Sequence, residues 1–455
     1  MTLDSRPRPK TAQDDPAQWT PAKRKRYGWL ITIALLVLMM ISWADKAILG
    51  IVAVPLMRDL NITPQQFGLL GSAVFMLFGV AQFVAAPIAN KVKSKWILLV
   101  LCLIWSVAQV PIFVFASLPA LWASRLILGA GEGPLAPVTM HAVYKWFPAK
   151  RSATPAAVAS AGVTLGVVAF APVLAWINAE FGWKSTFIFL AVIGVIWSLI
   201  WLAIGKEGPY TSMQAERDIE GQRDEPLDSA LVQASDTPVR YLRSFMTPSW
   251  ILAVLCSFLG YWTFTVATTW LPAYYEQSMG MSTQQAGSLI ALPAIWGFVA
   301  TIGLSWLTEF LVNRGASTRK ARGVVLGAAA TASGLLVVLG TLVQNDVLAV
   351  VCFMFGFGTA PALFAVTYLV AAEMTTIQQR GAVLQITNAF LTAGGLVAPM
   401  FVGFMVGAAT TPDSGYLAAF SITGGALAVC GVLSMLFINQ QRDRAKLGLD
   451  IKTVV

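Results

Sequence analysis

Charged residues are scarce in this chain of 455 residues, where Asp, Glu, Lys and Arg together make up 12%. An ordinary soluble domain carries roughly 25%. So few charges cannot cover a water-exposed surface, which excludes a water-soluble globular protein. Histidine occurs once and the four cysteines lie in separate apolar runs, so the sequence predicts neither a metal site nor a disulfide framework. The chain also lacks the polar tracts that are typical of disordered proteins.

Apolar residues are abundant instead, at 57% of the chain, and they gather in twelve long runs. A helix that crosses a bilayer needs about 20 such residues. Because every backbone polar group in lipid must bond within the protein, we expect helices rather than strands. We number the runs span 1 to span 12, with predicted limits 28–55, 66–90, 96–116, 119–146, 152–179, 185–204, 249–274, 284–312, 323–343, 346–372, 381–408 and 416–438.

The basic residues predict the orientation of these spans. Of the 31 Lys and Arg, 27 fall in the two tails and around the gaps that follow even-numbered spans, whereas the opposite side has only Arg58 and Lys184. Loops rich in Lys and Arg stay in the cytoplasm, so both termini are predicted to be cytoplasmic. Because the net charge of +9 is spread over these gaps, it does not form the single basic face that a nucleic-acid-binding domain needs.

A polar segment in the middle of the chain divides the spans into two sets of six. Two six-helix bundles of like design, with the substrate between them near the middle of the bilayer, are typical of secondary transporters. The fold class that we expect is an all-α integral membrane protein with two pseudo-symmetric bundles. Its predicted parts are an N-terminal tail 1–27, a bundle 28–205, a cytoplasmic loop 206–246, a bundle 247–439 and a C-terminal tail 440–455.

A charged segment follows the second span of each half. The first reads Ala86-Pro87-Ile88-Ala89-Asn90-Lys91 and then Lys95, and the second reads Ser305-Trp306-Leu307-Thr308-Glu309 and then Arg314. From Tyr27 to Asn439 the chain resembles the Major Facilitator Superfamily, whose loop signature is Gly-x-x-x-Asp-Arg-x-x-Arg/Lys. Asn90 replaces the usual acid, which is the partner of a helix dipole and of a basic residue. The resemblance implies that the gating loops contain Asn90, Lys91, Lys95, Glu309 and Arg314.

Two motifs within the spans narrow the resemblance. Span 1 contains Trp43-Ala44-Asp45-Lys46, and span 4 contains Arg125-x-x-x-Gly129-x-Gly131-Glu132-Gly133. With these motifs the chain is most similar to the anion:cation symporters, which carry organic anions with protons or sodium. That family usually shows an aromatic-x-Asp-Arg in span 1. Lys46 is a departure, because it keeps the positive charge but loses the bidentate fork that binds a carboxylate.

Four charged side chains lie deep within the spans, namely Asp45, Lys46, Arg125 and Glu132. A charged group at the centre of a membrane helix costs at least about 2.5–3.5 kcal/mol and usually has a function. Arg125 and Glu132 are seven residues apart, which is about 700° of helix, so they share one face about 10 Å apart. This spacing leaves room between them for a substrate carboxylate or for a partner from span 1.

These four groups have two interpretations. As static ion pairs they would only fix spans 1 and 4 to each other, although replacing such pairs by apolar residues is often neutral or stabilising. As functional groups, Arg125 and Lys46 would attract the substrate anion, and Asp45 and Glu132 would carry protons. An anion that reaches Arg125 would compete with the acids for its charge and favour their protonation. This competition would couple the substrate to the proton.

Four further side chains are predicted to contact the substrate. Gln385 and Asn388 share a face of span 11, where they would either hydrogen-bond the substrate or bridge two helices; the resemblance favours Asn388 as a substrate contact. Trp43 and Phe78 stand where related carriers often have Tyr, so each removes a hydrogen-bond donor and leaves aromatic surface. The hydroxyls of a sugar acid would then stay unpaired, at about 1–3 kcal/mol each, which favours a flatter carboxylate such as an aromatic acid.

The sequence therefore predicts an importer of an organic carboxylate in the inner (plasma) membrane, coupled to protons or sodium and active as a monomer, with no cofactor, metal or nucleic-acid partner. Proton-driven efflux of amphipathic compounds and import of a sugar acid remain open. A membrane-embedded enzyme would need a nucleophile–base pair or metal ligands at bilayer depth, and the spans have none beyond the four charged residues. A receptor or structural role would show no dependence on Asp45 or Glu132.

Overall fold

The fold is all-helical in the part of the chain that a computed structural model describes, which is residues 16, 19–89, 91–148, 151–210, 241–375 and 379–449. The first half contains the helices Pro21–Ile51, Ala53–Asp59, Pro64–Ala89, Ser94–Val114, Leu118–Glu132, Leu135–Tyr144, Ala153–Phe181 and Trp183–Ile204. The second half contains Tyr241–Phe245, Pro248–Gln277, Thr283–Leu289, Ala291–Asn313, the π-helical turn Arg319–Val324, Val325–Leu342, Asp346–Thr359, Ala362–Glu373, Arg380–Ala408, Pro412–Phe437 and Gln440–Lys446. The predicted all-α class is confirmed.

Eleven of the predicted spans contain helices that are long and apolar enough to cross a membrane, in the described part of the chain. The exception is span 4, which consists of two helices, Leu118–Glu132 and Leu135–Tyr144. Spans 8 and 10, which we also predicted as single runs, are likewise divided into two helices each. In span 4 the break falls at Pro134, which has no N–H for the helical ladder and whose ring clashes with the preceding turn. The chain is a multi-pass membrane protein, whereas the number of twelve spans and the cytoplasmic termini stay predictions.

Both chain ends are more helical than the sequence pattern indicated. The helix of span 1 begins at Pro21 inside the predicted tail, and the hydroxyl of Thr20 caps it by accepting a hydrogen bond from the N–H of Lys23 at 3.4 Å. Proline suits the first turn of a helix because the N–H it lacks has no partner there. A second helix, Gln440–Lys446, lies in the predicted C-terminal tail. Of the predicted central loop, residues 211–240 lie outside the described residues.

Close contacts between the two bundles lie at the end of the molecule that holds the loops after odd-numbered spans, which we call the distal end. A Cβ atom added to Gly50 of span 1 would lie 2.1 Å from the carbonyl oxygen of Thr268 in span 7. A Cβ on Gly68 of span 2 would lie 2.5 Å from the carbonyl oxygen of Pro399 in span 11. Only glycine permits such an approach between helix backbones, so these contacts close the distal end.

Glycines also allow span 4 to lie directly against the backbone of span 2. A Cβ on Gly129 would lie 1.9 Å from the carbonyl oxygen of Val74, and one on Gly133 would lie 2.2 Å from that of Phe78. Small residues spaced four apart are the usual means by which membrane helices approach each other closely. This contact sets the position of the helix that carries the two charged residues of span 4.

The short helix Gln440–Lys446 is attached to the start of span 7 through a buried carboxylate. Oδ2 of Asp443 accepts a hydrogen bond from the backbone N–H of Ser249 at 3.0 Å, and Oδ1 accepts one from Nε of Arg442 at 2.9 Å. Burial alone would raise the pKa of Asp443, but the hydrogen bonds from Arg442 and Ser249 outweigh it and hold the pKa below its usual value. The ionised carboxylate therefore fastens the chain end to the second bundle.

The substitution Asp443→Asn is expected to destabilise the protein at neutral pH by about 1.5–3 kcal/mol, the usual contribution of hydrogen bonds to a charged group. Because the folded-state pKa is depressed, this stability is present above the unfolded-state value near 3.9 and is lost as the pH falls through the folded-state value. Thermal unfolding in detergent should show a lower Tm for the variant at pH 7 and a shrinking difference below about pH 4. An equal loss from replacing the exposed Asp413 by Asn would contradict this role.

Candidate functional site

Spans 1 and 4 meet at a buried ion pair. Nζ of Lys46 lies 2.6 Å from Oε2 of Glu132. The hydroxyl of Ser42 donates to Oε1 of Glu132 at 2.9 Å and accepts a hydrogen bond from Nζ of Lys46 at 3.2 Å. Ser42 lies about one turn before Lys46, so one face of span 1 contacts the carboxylate with both residues. Glu132 is 2% exposed, and its charge is balanced by Lys46 rather than by water.

The other two charged residues lie beside this pair. Nη1 of Arg125 donates to the backbone carbonyl of Asp45 at 3.3 Å, and its guanidinium lies 5.1 Å from the ring centre of Phe187. The carboxylate of Asp45 accepts a hydrogen bond at Oδ1 from Nε2 of Gln109 in span 3, at 2.8 Å. Neither Asp45 nor Arg125 has exposed surface. We use the term charged cluster for Asp45, Lys46, Arg125 and Glu132.

In the structure, span 1 occupies the space that the sequence analysis left open between Arg125 and Glu132. Span 1 approaches both residues, with the carbonyl of Asp45 at one and Nζ of Lys46 at the other. The side chain of Lys46 is 11% exposed, and it is the most exposed member of the cluster. In this conformation an incoming anion would therefore meet Lys46 before Arg125. The roles assigned to the four residues stay predictions.

A cavity of about 580 Å³ lies between the two bundles, lined by spans 1, 5, 7, 8, 10 and 11. Aliphatic and aromatic side chains form most of its wall. Its polar side chains are the indole of Trp43, one amide and a few hydroxyls, contributed by Ser160, Thr164, Tyr261, Thr268, Thr301, Tyr368 and Asn388. Secondary transporters bind their substrates in this position, at the interface of the two repeats.

Four aromatic side chains separate the cavity from the charged cluster. Trp43 and Phe75 belong to the first bundle, and Tyr261 and Phe264 belong to the second. Ring centres are 5.5 Å apart between Trp43 and Phe264 and 5.9 Å apart between Phe75 and Tyr261. Tyr261 and Phe264 line both the cavity and a small space of about 20 Å³ at the charged cluster. We call these four the aromatic partition; because both bundles contribute to it, movement of one bundle against the other would open it.

The predicted substrate contacts fall on both sides of this partition. Trp43 and Asn388 line the cavity, and Oδ1 of Asn388 accepts a hydrogen bond from the hydroxyl of Tyr368 at 2.7 Å. Phe78 lies on the cluster side, with its ring centre 5.7 Å from Nζ of Lys46. Gln385 is exposed and does not line the cavity, because a three-residue step leaves it about 60° around the helix from Asn388. As substrate contacts, all four stay predictions.

The predicted gating residues lie at the ends of the bundles. Nζ of Lys95 donates to a backbone carbonyl at the end of span 6 at 2.9 Å, which ties spans 3 and 6 within the first bundle. Lys91 and Glu309 are exposed, and the guanidinium of Arg314 stacks over the aromatic ring one turn earlier at 4.3 Å. Asn90 lies outside the described residues. The gating role of these loops stays a prediction.

Three polar residues of the site were missed in the sequence. Ser42 precedes Lys46 by four residues, a spacing that places both on one face of span 1. Gln109 is an isolated amide in an otherwise apolar stretch of span 3, and a lone buried polar group of this kind is a signal for a specific partner. Tyr261 stands in an aromatic-rich stretch of span 7, where no local pattern distinguishes it from its neighbours.

Residues 34–399 match the sequence profile of the Major Facilitator Superfamily. The chain belongs to this superfamily. It is 26% identical to the D-galactonate transporter of Escherichia coli O6:H1 over 429 residues, which cover 90% of this chain and 96% of the relative. It is 27% identical to the probable sulfoacetate transporter of Cupriavidus necator over 400 residues, which cover 88% of this chain and 91% of the relative.

The fold of this superfamily member is also shared with solved structures. A bacterial homolog of the human lysosomal transporter Spinster, in an inward-facing and unoccupied conformation, superposes with a TM-score of 0.71 at 17% identity. The match covers 92% of this chain and 98% of that chain. The resemblance drawn from the two motifs is confirmed at the level of the superfamily and of organic-anion transport, since both sequence relatives are named for small organic anions.

Proposed function

We propose that this superfamily member imports an organic carboxylate anion together with protons by alternating access. The observation that carries the proposal is the buried charged cluster of two acids and two bases, which lies beside a cavity and behind a partition made by both bundles. The proposed location is the inner (plasma) membrane, and the proposed active unit is a monomer. Neither a cofactor nor a metal takes part in the proposed cycle.

Lys46 links the anion to the proton in this proposal. It neutralises Glu132 across 2.6 Å and is the most exposed member of the charged cluster. A substrate carboxylate that binds Lys46 takes over its charge, and Glu132 is left buried without a partner. An unpaired buried carboxylate is strongly unfavourable, so Glu132 takes up a proton. When the anion leaves, the ion pair re-forms and the proton is released.

The closed distal end is assigned to one conformation of the proposed transport cycle. With the termini in the cytoplasm, as the distribution of Lys and Arg predicts, the distal end faces the outside. The contacts of Gly50 with Thr268 and of Gly68 with Pro399 then seal the outer entrance. In the proposed cycle a closed outer entrance fits an inward-facing conformation, from which an imported substrate leaves for the cytoplasm.

The wall of the cavity favours a flat and weakly hydroxylated anion. It offers aromatic faces and few polar groups, so most hydroxyls of a sugar acid would lose their hydrogen bonds to water without replacement, at about 1–3 kcal/mol each. An aromatic acid would instead stack on Trp43 or Tyr261, and its carboxylate would point to Lys46 through the partition. Among the relatives, the sulfoacetate carrier fits an anion without a sugar backbone, whereas the D-galactonate transporter favours the alternative, which is import of a sugar acid.

Uptake by the purified protein in liposomes tests the proposal. Radiolabelled aromatic acids and sugar acids are offered with and without an inward proton gradient, and with a sodium gradient as a separate arm. We expect accumulation of an aromatic acid that depends on the proton gradient and exceeds that of D-galactonate at least about tenfold, the effect of one lost hydrogen bond. Accumulation of sugar acids alone would overturn the proposed substrate class, and dependence on sodium would overturn proton coupling. Extrusion of amphipathic compounds would overturn import as the direction of transport.

Asn388→Ala is expected to raise the KM for the accumulated anion about tenfold with little change in kcat, because the cavity loses an amide that contributes one hydrogen bond. The matched control is Thr392→Val, one turn later on span 11, whose hydroxyl donates to the carbonyl of Asn388 at 2.8 Å and not to the cavity. Concentration-dependent uptake in the same liposomes gives both constants. Equal KM values in the two variants would exclude Asn388 as a substrate contact.

A further inference from the structure

Asp45 and Gln109 each hold a buried oxygen that lacks a hydrogen-bond partner. Nε2 of Gln109 donates to Oδ1 of Asp45 at 2.8 Å, and neither residue has exposed surface. The remaining atoms of the two groups, Oδ2 of Asp45 and Oε1 of Gln109, have no hydrogen-bond partner among the described residues. Both atoms are acceptors when the carboxyl is ionised. The two side chains together are therefore short of one donor.

One proton supplies this donor. A protonated carboxyl offers an O–H donor and a carbonyl acceptor, and a primary amide offers an N–H donor and a carbonyl acceptor. A proton on Oδ2 of Asp45 can therefore be donated to Oε1 of Gln109 while Oδ1 keeps the hydrogen bond from Nε2. The result is a closed ring of two hydrogen bonds between a carboxylic acid and an amide. The hydrogen bond already present is retained in this ring.

We propose that Gln109 is a positioning residue for the transported proton, which holds Asp45 in its protonated form as an acid–amide pair. The inference rests on the proposed function, since it assumes that Asp45 carries a proton during the cycle. The step is a proton transfer to Oδ2, in which one O–H bond forms and no bond between heavy atoms changes. Span 3 thereby joins spans 1 and 4 in the coupling site.

The charged groups around Asp45 bond to other atoms, so Gln109 is the partner of its carboxyl. Lys46 follows on span 1 and pairs with Glu132 of span 4, while Arg125 of span 4 donates to the backbone carbonyl of Asp45. From span 7 Tyr261 lines the same small space as Asp45, and span 3 also carries the buried thiol of Cys102. Within the described residues, the carboxyl oxygens of Asp45 accept one hydrogen bond, which comes from Gln109.

Infrared difference spectra of the purified protein between low and high pH test the pair directly. The carbonyl band that disappears in Asp45→Asn marks the protonated carboxyl. In Gln109→Met this band should move to higher wavenumber, because its carbonyl loses the N–H donor. The matched control is Ser106→Ala on the same helix, whose hydroxyl bonds the carbonyl of Cys102 at 2.8 Å; it should leave the band in place. A band that stays unmoved in Gln109→Met would overturn the inference.

Transport separates this inference from the proposed function. In liposomes, Gln109→Met should lose about tenfold in proton-driven accumulation relative to substrate counterflow, the effect of one hydrogen bond. If the unmodified protein shows no proton-driven uptake, the proposed function fails. If the unmodified protein is proton-driven and Gln109→Met keeps its ratio of accumulation to counterflow, only the role of Gln109 fails.

A second variant keeps the test decisive should Gln109→Met not fold. Asparagine has the donor and acceptor of a protonated Asp, so Asp45→Asn forms the ring with Gln109 without a proton. We expect the Tm of Asp45→Asn to equal or exceed that of the unmodified protein at alkaline pH. Asp45→Leu has a similar volume and no hydrogen-bonding group, and it should lower the Tm. Equal destabilisation by Asn and Leu would contradict the acid–amide pair.

Discussion

Replacing Glu132 by Gln is expected to abolish proton-driven accumulation while sparing substrate counterflow. Glutamine keeps the shape and the hydrogen bond from Ser42, but it neither titrates nor balances the charge of Lys46. Without a group that can take up a proton at this position, binding of the anion at Lys46 no longer brings a proton with it, so accumulation driven by the pH gradient is lost. Proteoliposomes measure both quantities, with an imposed pH gradient for accumulation and without one for counterflow.

The control for this change is Glu180→Gln, which removes an exposed acid at the end of span 5 and should retain both activities. Full accumulation by Glu132→Gln would mean that this residue carries no proton. The pair between Lys46 and Glu132 would then be a static tie between spans 1 and 4. Loss of counterflow as well would instead indicate that the substitution damages the site for the anion.

Replacing Gly50 by Ala is expected to stop transport by holding the distal end open. The added methyl carbon would lie 2.1 Å from the carbonyl oxygen of Thr268, a backbone atom that cannot rotate away. The two bundles must then separate at this point, and overpacking of this kind costs about 1–3 kcal/mol. A cysteine at Leu271, which lines the cavity, should become labelled by an impermeant reagent from the distal side.

The matched control is Gly303→Ala in span 8. An added Cβ there has no atom within 4 Å, so this variant should transport at the unmodified rate and keep the original labelling pattern. A Gly50→Ala protein that transports normally would show that the contact of spans 1 and 7 is not broken and re-formed during the cycle.

The spans could be predicted from the sequence because a bilayer requires apolar runs of fixed length. The prediction of single helices was wrong for spans 4, 8 and 10, each of which consists of two helices. Glycine and proline are tolerated inside membrane helices, so the pattern gave no reason to divide the run 119–146, yet Pro134 divides it. The extension of span 1 to Pro21 was missed because its charged first turns resemble a tail, although Thr20 and Pro21 together are a helix start signal.

The four residues of the charged cluster could also be predicted from the sequence, whereas which of them form an ion pair could not. The cost of each charge in lipid identified the four residues, and helical spacing placed Arg125 and Glu132 on one face. That Lys46 rather than Arg125 pairs with Glu132 depends on the rotation of span 1 against span 4. The close contact of Gly129 with span 2 fixes the position of span 4, and residue types do not reveal how span 1 is rotated against it.

The aromatic partition lay beyond sequence analysis for a different reason. Trp43 was identified because it precedes Asp45 by two residues. Its partners Tyr261 and Phe264 come from the opposite half of the chain, so only the packing of the two bundles brings them together. Aromatic residues occur in eleven of the twelve predicted spans, and spacing alone cannot tell a separating wall from ordinary core.

In the proposed cycle, the two carboxyls of the charged cluster would carry at most two protons. One proton moving with a monovalent anion transfers no net charge, and uptake is then indifferent to the electrical potential across the bilayer. Two protons transfer one positive charge, and the potential then contributes about 2.3 kcal/mol per 100 mV. If the proposed symport is correct, the current that accompanies uptake would count how many of Asp45 and Glu132 carry a proton in each turnover. A cell with a negative interior would then concentrate scarce nutrients further with both protons than with one.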